Sequence, residues 1–448
     1  MRESYLDISG ILLIFTYLLV TIFVFNLYAN SKYGKEKTTK KYFLYGLYFK
    51  LFAALFFALI YDQYYQRGGD TFAYFYNACR LGDVLFKNPT AYFKIFFGFI
   101  NETNVYSLPS NLGYFPSFRD PSVFAVHRFI SPFAILGLKN YYLSIIVLNV
   151  FNYLLIWRVF LFFKKIFMNK EKMLALALLF IPSVGFWGSG IVKDSFSYTF
   201  GLVFLSAFYR LFFMRKIGIL NILKLLISIY IVLSLKPYIL YGLIAAGFVW
   251  LGFNYIALVK NKLLRTFVFP IIMFGIGLGG MYTLTNVANI AGGSYQDVDS
   301  MLNKAVVSQQ DLKKEYYGGN SFDIGDYDAT VQGAASVTPA AIIAGLYRPF
   351  LWEANSVVMI LSGLENTILL LLTLFVLFRA GPRFFFKSLS KEPFLIFCFI
   401  FSLIMAMGIG LSTANFGALV RFKIPLIPFF LMGWLFILDD YRNFKKSV

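Results

Sequence analysis

The sequence is short of the residues on which most site chemistry depends. It has one histidine, His127, and two cysteines, Cys79 and Cys398, in 448 residues. The cysteines are too few and too far apart in sequence to point to a disulfide framework or a metal site. Charge is scarce as well: Asp, Glu, Lys and Arg make up 14% of the chain, with 22 acidic against 41 basic residues. No glycine-rich nucleotide loop, zinc motif or serine nucleophile elbow occurs, which argues against cytosolic nucleotide chemistry. No internal repeat at a fixed period stands out, which weighs against repeat-built transporter folds. No small-residue cleavage site follows the first apolar run, so that run is expected to remain as a span.

What the sequence has in excess is apolar surface. It is 59% hydrophobic with a mean hydropathy of +0.69, more than a soluble fold can hide. Apolar stretches long enough to cross a hydrocarbon core of roughly 30 Å recur from end to end, where a β-barrel would show short alternating segments. The expected fold is therefore all-α, a polytopic bundle of transmembrane helices forming one integral membrane domain over residues 1–448. The 55 Phe and 31 Tyr exceed the needs of two interfacial belts, so many of these rings must pack inside the bundle or face lipid. The net charge of +19 resembles a nucleic-acid signal. Much of it sits in short loops between apolar runs, where it reports topology, and no nucleic-acid partner is expected.

The loop after the first run carries Lys32, Lys35, Lys37, Lys40 and Lys41, which places it in the cytoplasm and the N-terminus outside. The spans then run near Ile8–Leu27, Tyr42–Tyr61, Phe129–Phe163, Met173–Trp187, Ser195–Phe213, Ile217–Leu235, Pro237–Leu258, Phe267–Leu284, Ala354–Phe378, Pro393–Leu411 and Pro425–Leu438. About eleven spans agree with one orientation, and the C-terminus is expected in the cytoplasm. The stretch Phe129–Phe163 is longer than one span and breaks at Gly137-Leu138-Lys139-Asn140. Two long segments fall outside: Asp62 to Val126, whose piece Val84–Ile100 reads as helices lying on the membrane, and an acidic, flexible stretch from Asn286 to Thr338.

An ionised side chain within a span costs about 2.5 to 3.5 kcal/mol, so such residues need a partner or a function. Asp62, Asp70, Asp83, Arg128, Lys193, Lys236, Arg348, Glu353 and Arg421 all fall at the outer ends of the expected spans. In Arg67-Gly68-Gly69-Asp70 the paired glycines allow a sharp turn. Asp70 can then serve as a general base toward a sugar hydroxyl, or help hold a divalent cation against a phosphate leaving group. A Gly-Gly-Asp turn that caps a helix is the alternative. Asp62 and Asp83 are weaker candidates for the same work. Lys193 can point at an anionic headgroup or pair with Asp194, and Lys236, before Pro237, is either a phosphate contact or a snorkelling anchor. Arg348 can clamp a phosphate bidentately, with Glu353 as its partner or as a second carboxylate, unless both belong to an interfacial belt. Arg421 and Lys423 run against the positive-inside tendency, which calls for a compensating anion or marks two anchors. His127, beside Arg128, is a minor candidate.

The segment Gly68-Gly69-Asp70-Thr71-Phe72-Ala73-Tyr74, in a large outer loop backed by interfacial helices, resembles the architecture of GT-C membrane glycosyltransferases. The Lys193-Asp194 turn, Arg348 to Glu353 and Asn415 to Pro428 resemble segments of bacterial membrane proteins associated with surface polysaccharide assembly. The resemblance implies a polyprenyl-phosphate-linked sugar donor, an outward-facing cavity at the bacterial plasma membrane and an acidic base in that loop. Lys193, Lys236, Arg348, Arg421 and Arg128 are the cations expected to meet the lipid phosphate. The sequence departs from the family in carrying an extra span before the acidic loop and in lacking a paired-acidic motif. A transporter or flippase of a lipid-linked oligosaccharide would use the same cations, and a structural subunit of an envelope machine would need none of them.

Overall fold

The computed structural model describes residues 5–100, 116–257, 293–314, 321–354 and 356–447, with isolated positions between 275 and 288. The protein is 84% helical and has no strand among the described residues, so the expected all-α fold is the one observed. Among the described residues seven helices are long and apolar enough to cross a membrane, which makes this a multi-pass helical membrane protein. An eighth span results if Phe416–Phe422 and Ile427–Lys446, which meet at 63°, are taken together.

The difference from eleven spans has particular causes. The expected span Met173–Trp187 is broken into α7 (Glu171–Leu179) and α8 (Pro182–Trp187). Ile217–Leu235 becomes a helix of 17 residues, Ile219–Leu235, and Phe267–Leu284 lies almost wholly outside the described residues. The break foreseen at Gly137–Asn140 is present. It separates α5 (Pro121–Leu136) from α6 (Tyr141–Ile166), and Leu138 and Lys139 both take positive φ there. Within the acidic stretch 286–338 the described residues include α12 (Val298–Leu312), a helix of 15 residues capped by Asp297.

The chain divides into two compact units. Unit one comprises Met1–Phe162, Val184–Thr199 and Ser234–Lys236; unit two comprises Phe163–Ser183, Phe200–Leu233 and Pro237–Val448.

Unit one contains α1 (Ile8–Tyr33), α2 (Lys37–Leu59), α3 (Asp70–Lys87), α4 (Pro89–Phe96), α5 and most of α6. Helix α1 turns Ile8, Leu12, Phe15, Phe23 and Leu27 outward, as a lipid-facing span does. Helices α2 and α6 are zipped together by aromatic rings. Phe43 packs against Tyr153 and Trp157, and Tyr153 donates to the Phe43 carbonyl at 2.6 Å. Gly46 makes the approach possible, because a Cβ there would lie 2.7 Å from the Tyr153 hydroxyl. Helix α5 starts at Pro121 behind an Asp120 cap and packs on α3 where Gly82 meets Ile135.

Unit two is built on α13 (Val331–Tyr347), α14 (Val357–Lys391), α15 (Pro393–Ser412), α16 (Phe416–Phe422) and α17 (Ile427–Ser447), with α11 (Pro237–Ala257) beside α15. Helices α13 and α15 touch backbone to backbone. A Cβ at Gly345 would lie 2.2 Å from the Ala406 carbonyl oxygen, and one at Gly410 would lie 2.1 Å from that of Ala341. Rings of Phe163, Phe167, Phe394 and Trp250 fill the space near the start of α15.

Candidate functional site

In unit one the end of α2 loosens into a π-helical turn, Ile60–Tyr64. The chain then reverses through Gln66, Arg67 and Gly69, all at positive φ, before α3 begins at Asp70. Non-glycine residues rarely adopt such backbone, so two in a row mark a turn held by its surroundings. Asp62 does that holding. Its buried carboxylate accepts from Arg67 Nε at 2.7 Å, from the Tyr142 hydroxyl at 2.9 Å and from Gln63 at 3.0 Å, while the guanidinium lies over the Tyr5 ring. Asp62 is thus committed to the turn. Asp70 is exposed in the first turn of α3, where its charge also favours the helix dipole. Asp83 pairs with Lys139 at the surface.

Farther along α3 and α5, side chains from three separate stretches converge. Lys193, at the start of α9 (Lys193–Phe208), donates to Ser122 Oγ at 2.7 Å, and Ser122 donates to Asp120 Oδ1 at 2.7 Å. Burial would raise the Asp120 carboxyl, but the Ser122 hydroxyl, the Val123 and Ser122 N–H groups and the Lys193 charge outweigh it and hold the group below its usual range. His127, one turn into α5, is 1% exposed. Burial, then the charges of Lys193 and Arg80, push its pKa down to about 4 against the opposing pull of Asp120. Its ring meets that of Tyr74 at 5.8 Å, and Tyr74 stands one helical turn after Asp70 on the same side of α3. Arg128 faces another way: its guanidinium donates to the Phe96 carbonyl and lies over Phe124 and Phe129.

Next to Lys193, the fully buried Asp194 pairs with Lys236, which follows the last turn of α10 (Ile219–Leu235). Lys236 is therefore neutralised from within the chain rather than turned toward a headgroup. The sequence reading passed over a further buried cation in unit one. Lys50, inside the span Lys37–Tyr64, donates to the Gly188 carbonyl at 2.7 Å. A lone Lys within the run Phe43 to Leu59 is the signal that could have found it.

Unit two gathers its own polar group. Arg348 contacts Glu353 through Nε at 2.9 and 3.2 Å and through Nη2 at 2.5 Å, and lies over the Phe322 and Phe416 rings. Its fork is occupied by a carboxylate five residues away. Lys423, in the break between α16 and α17, is fully buried; it donates to the Arg348 carbonyl and to Asn366 Oδ1, each at 2.9 Å. Glu365 accepts from Ser183 N at 2.9 Å and from its hydroxyl at 2.5 Å. Arg421 is half-buried in the last turn of α16, so the deeper cation of the Arg421–Lys423 pair is Lys423.

Among the described residues no three His, Cys, Asp or Glu side chains come together as a metal-holding group. No family model, curated protein or solved structure matches the chain.

Proposed function

We propose that the protein is a membrane glycosyltransferase or polysaccharide polymerase that takes its sugar from a polyprenyl-phosphate-linked donor. It works at the outer face of a bacterial plasma membrane, with the N-terminus outside and the C-terminus in the cytoplasm. The observation that carries this reading is the convergence in unit one: Tyr74, one turn from Asp70, lies against His127, which sits in the field of Lys193, Arg80 and Asp120. Support also comes from the likeness of Gly68 to Tyr74 to the acidic loop of GT-C enzymes.

In this reading Lys193 and Arg80 hold the donor phosphate, and the Asp120–Ser122 chain fixes the Lys193 ammonium. Asp70 takes the proton of the acceptor hydroxyl. The acceptor oxygen bonds to the anomeric carbon as the bond from that carbon to the phosphate oxygen breaks, and the electron pair leaves with the polyprenyl phosphate. His127 stays neutral above about pH 4, so it adds no third positive charge near the phosphate. Protein in lipid nanodiscs, given radiolabelled lipid-linked sugar, should transfer label. Asp70→Asn should lower the rate at least about a hundredfold with little change in lipid binding, and Lys193→Ala should act mainly on KM. Full transfer by Asp70→Asn ends the proposal.

A second reading, a flippase for a lipid-linked oligosaccharide, is favoured by the broken helix α7–α8 and by the 63° bend between α16 and α17, since carriers commonly use discontinuous spans. It expects Asp70→Asn to be tolerated and lipid translocation to depend on the cations.

A further inference from the structure

We propose that unit two binds the phosphates of anionic phospholipids at a basic face formed where the last turns of α14 and α17 meet. Gly381 takes φ +77° and ψ 159° and kinks α14, and Pro382 begins the helical stretch that follows, residues 382–391. Before the kink the helix turns apolar side chains outward, with Leu371, Leu374, Phe375 and Phe378 exposed. After it Arg383, Lys387 and Lys391 recur at every fourth residue, which stacks them on one face, and all three are exposed. Phe384 packs on Tyr441 at 5.3 Å and on Phe444 at 5.7 Å, and Phe385 packs on Phe399 and Trp434. These rings seat the stretch against α17, whose end carries the exposed Arg442, Lys445 and Lys446. Lys387 Nζ lies over the Phe444 ring at 5.5 Å, so the two sets of cations form one surface.

Among the described residues none of these six cations has a carboxylate within 4 Å. The acids nearest to them in sequence are engaged elsewhere: Asp439 and Asp440 hold Lys170, and Glu392 caps α15. Like charges four residues apart on a helix repel, so cations gathered by ring packing call for anions from outside the chain. What adjoins them selects the kind of anion. Phe378 and Phe386, on either side of the kink, are 85% and 64% exposed. A soluble anion gains nothing from those rings, whereas a phospholipid offers hydrocarbon to the rings and a phosphate to Arg and Lys at one depth. This inference goes beyond the sugar-transfer reading and uses none of its residues.

The test is thermal unfolding of the full chain in non-ionic detergent with added phosphatidylglycerol or phosphatidylcholine. Phosphatidylglycerol should raise the Tm by about 3 °C with a saturable dose dependence, and phosphatidylcholine should give no more than about a third of that shift. Inorganic phosphate and polyglutamate at equal charge should leave the Tm unchanged. The triple variant Arg383→Gln, Lys387→Gln, Lys391→Gln should lose most of the shift and still unfold with the parent in phosphatidylcholine. Lys387→Gln alone should lose about a third of it, which reads the same effect without the triple change. Lys35→Gln with Lys37→Gln, in the basic loop of unit one, should keep it whole. An equal shift from the two lipids, an equal shift from phosphate or polyglutamate, a full shift in the triple and single variants, or an equal loss in the unit-one control overturns the proposal.

Discussion

Each unit buries a lysine that holds backbone carbonyls, yet the two lysines sit in different electrostatic company. Lys50 of unit one donates to the Gly188 carbonyl and, among the described residues, has no carboxylate within 4 Å. Lys423 of unit two donates to the Arg348 carbonyl and to Asn366, with the Glu365 carboxylate close enough for their charges to interact. A third arrangement, Lys236 on Asp194, is a direct ion pair. The contrast teaches that a cation buried among membrane helices can be neutralised by the chain itself, nearby or at contact, and that Lys50 has neither solution.

The contact pair gives the largest expected effect. Lys236→Met removes the cation paired with the fully buried Asp194 and should lower stability by about 3 to 5 kcal/mol, whereas Lys236→Met combined with Asp194→Leu should recover most of the loss. Denaturation of the detergent-solubilised variants measures both. If the single and double variants are equally unstable, the pair is not what holds this corner of unit one.

Lys423→Met comes next, at about 2 to 4 kcal/mol, because it leaves the Arg348 carbonyl and Asn366 Oδ1 buried without a donor. It also removes the positive charge opposite Glu365. Lys50→Met loses one hydrogen bond and strands no carboxylate, so it should be the milder change. Equal losses from the two substitutions would erase the distinction between the units. Gly410→Val probes packing rather than charge: its side chain would run into the Ala341 carbonyl, at a cost of about 1 to 3 kcal/mol.

Much of the fold was legible in the sequence, because length and hydropathy alone mark helices such as Ile8–Tyr33 and Pro393–Ser412. The break before Tyr141 was legible from Gly137 and Asn140. Helix Val331–Tyr347 was not: its Ala, Gly, Ser and Thr residues look like loop composition, and the same small side chains are what let it lie against α15. Site residues were legible as types but not as partners. Asp70, Lys193 and Lys236 stood out as charges at span ends, but that Lys236 would turn to Asp194, 42 residues earlier, depends on how three helix ends meet. Arg348 and Glu353 are five residues apart, and their pairing was among the options the sequence offered. Lys50, near the centre of the span Lys37–Tyr64, is a stronger sequence anomaly than the charges at span ends.

The smallest effect isolates the candidate site of unit one from the buried lysines. His127 titrates near 4 in the folded protein against about 6.5 unfolded, with Lys193 on α9, Arg80 on α3 and Asp120 ahead of α5 as the charges around it. Between these two pH values the unfolded chain binds the proton and the folded chain does not, so stability should fall as pH drops from about 6.5 toward 4. The slope is at most about 1.4 kcal/mol per pH unit. The contribution of Asp120, whose carboxyl is held below its usual range, is lost only at lower pH and leaves this window to the histidine. His127→Gln should flatten the Tm profile between pH 6.5 and 4.5. A profile that keeps its slope in this variant would mean that the imidazole is not held neutral by its burial and by the charges of Lys193 and Arg80, and the convergence proposed for the phosphate site would lose its electrostatic basis.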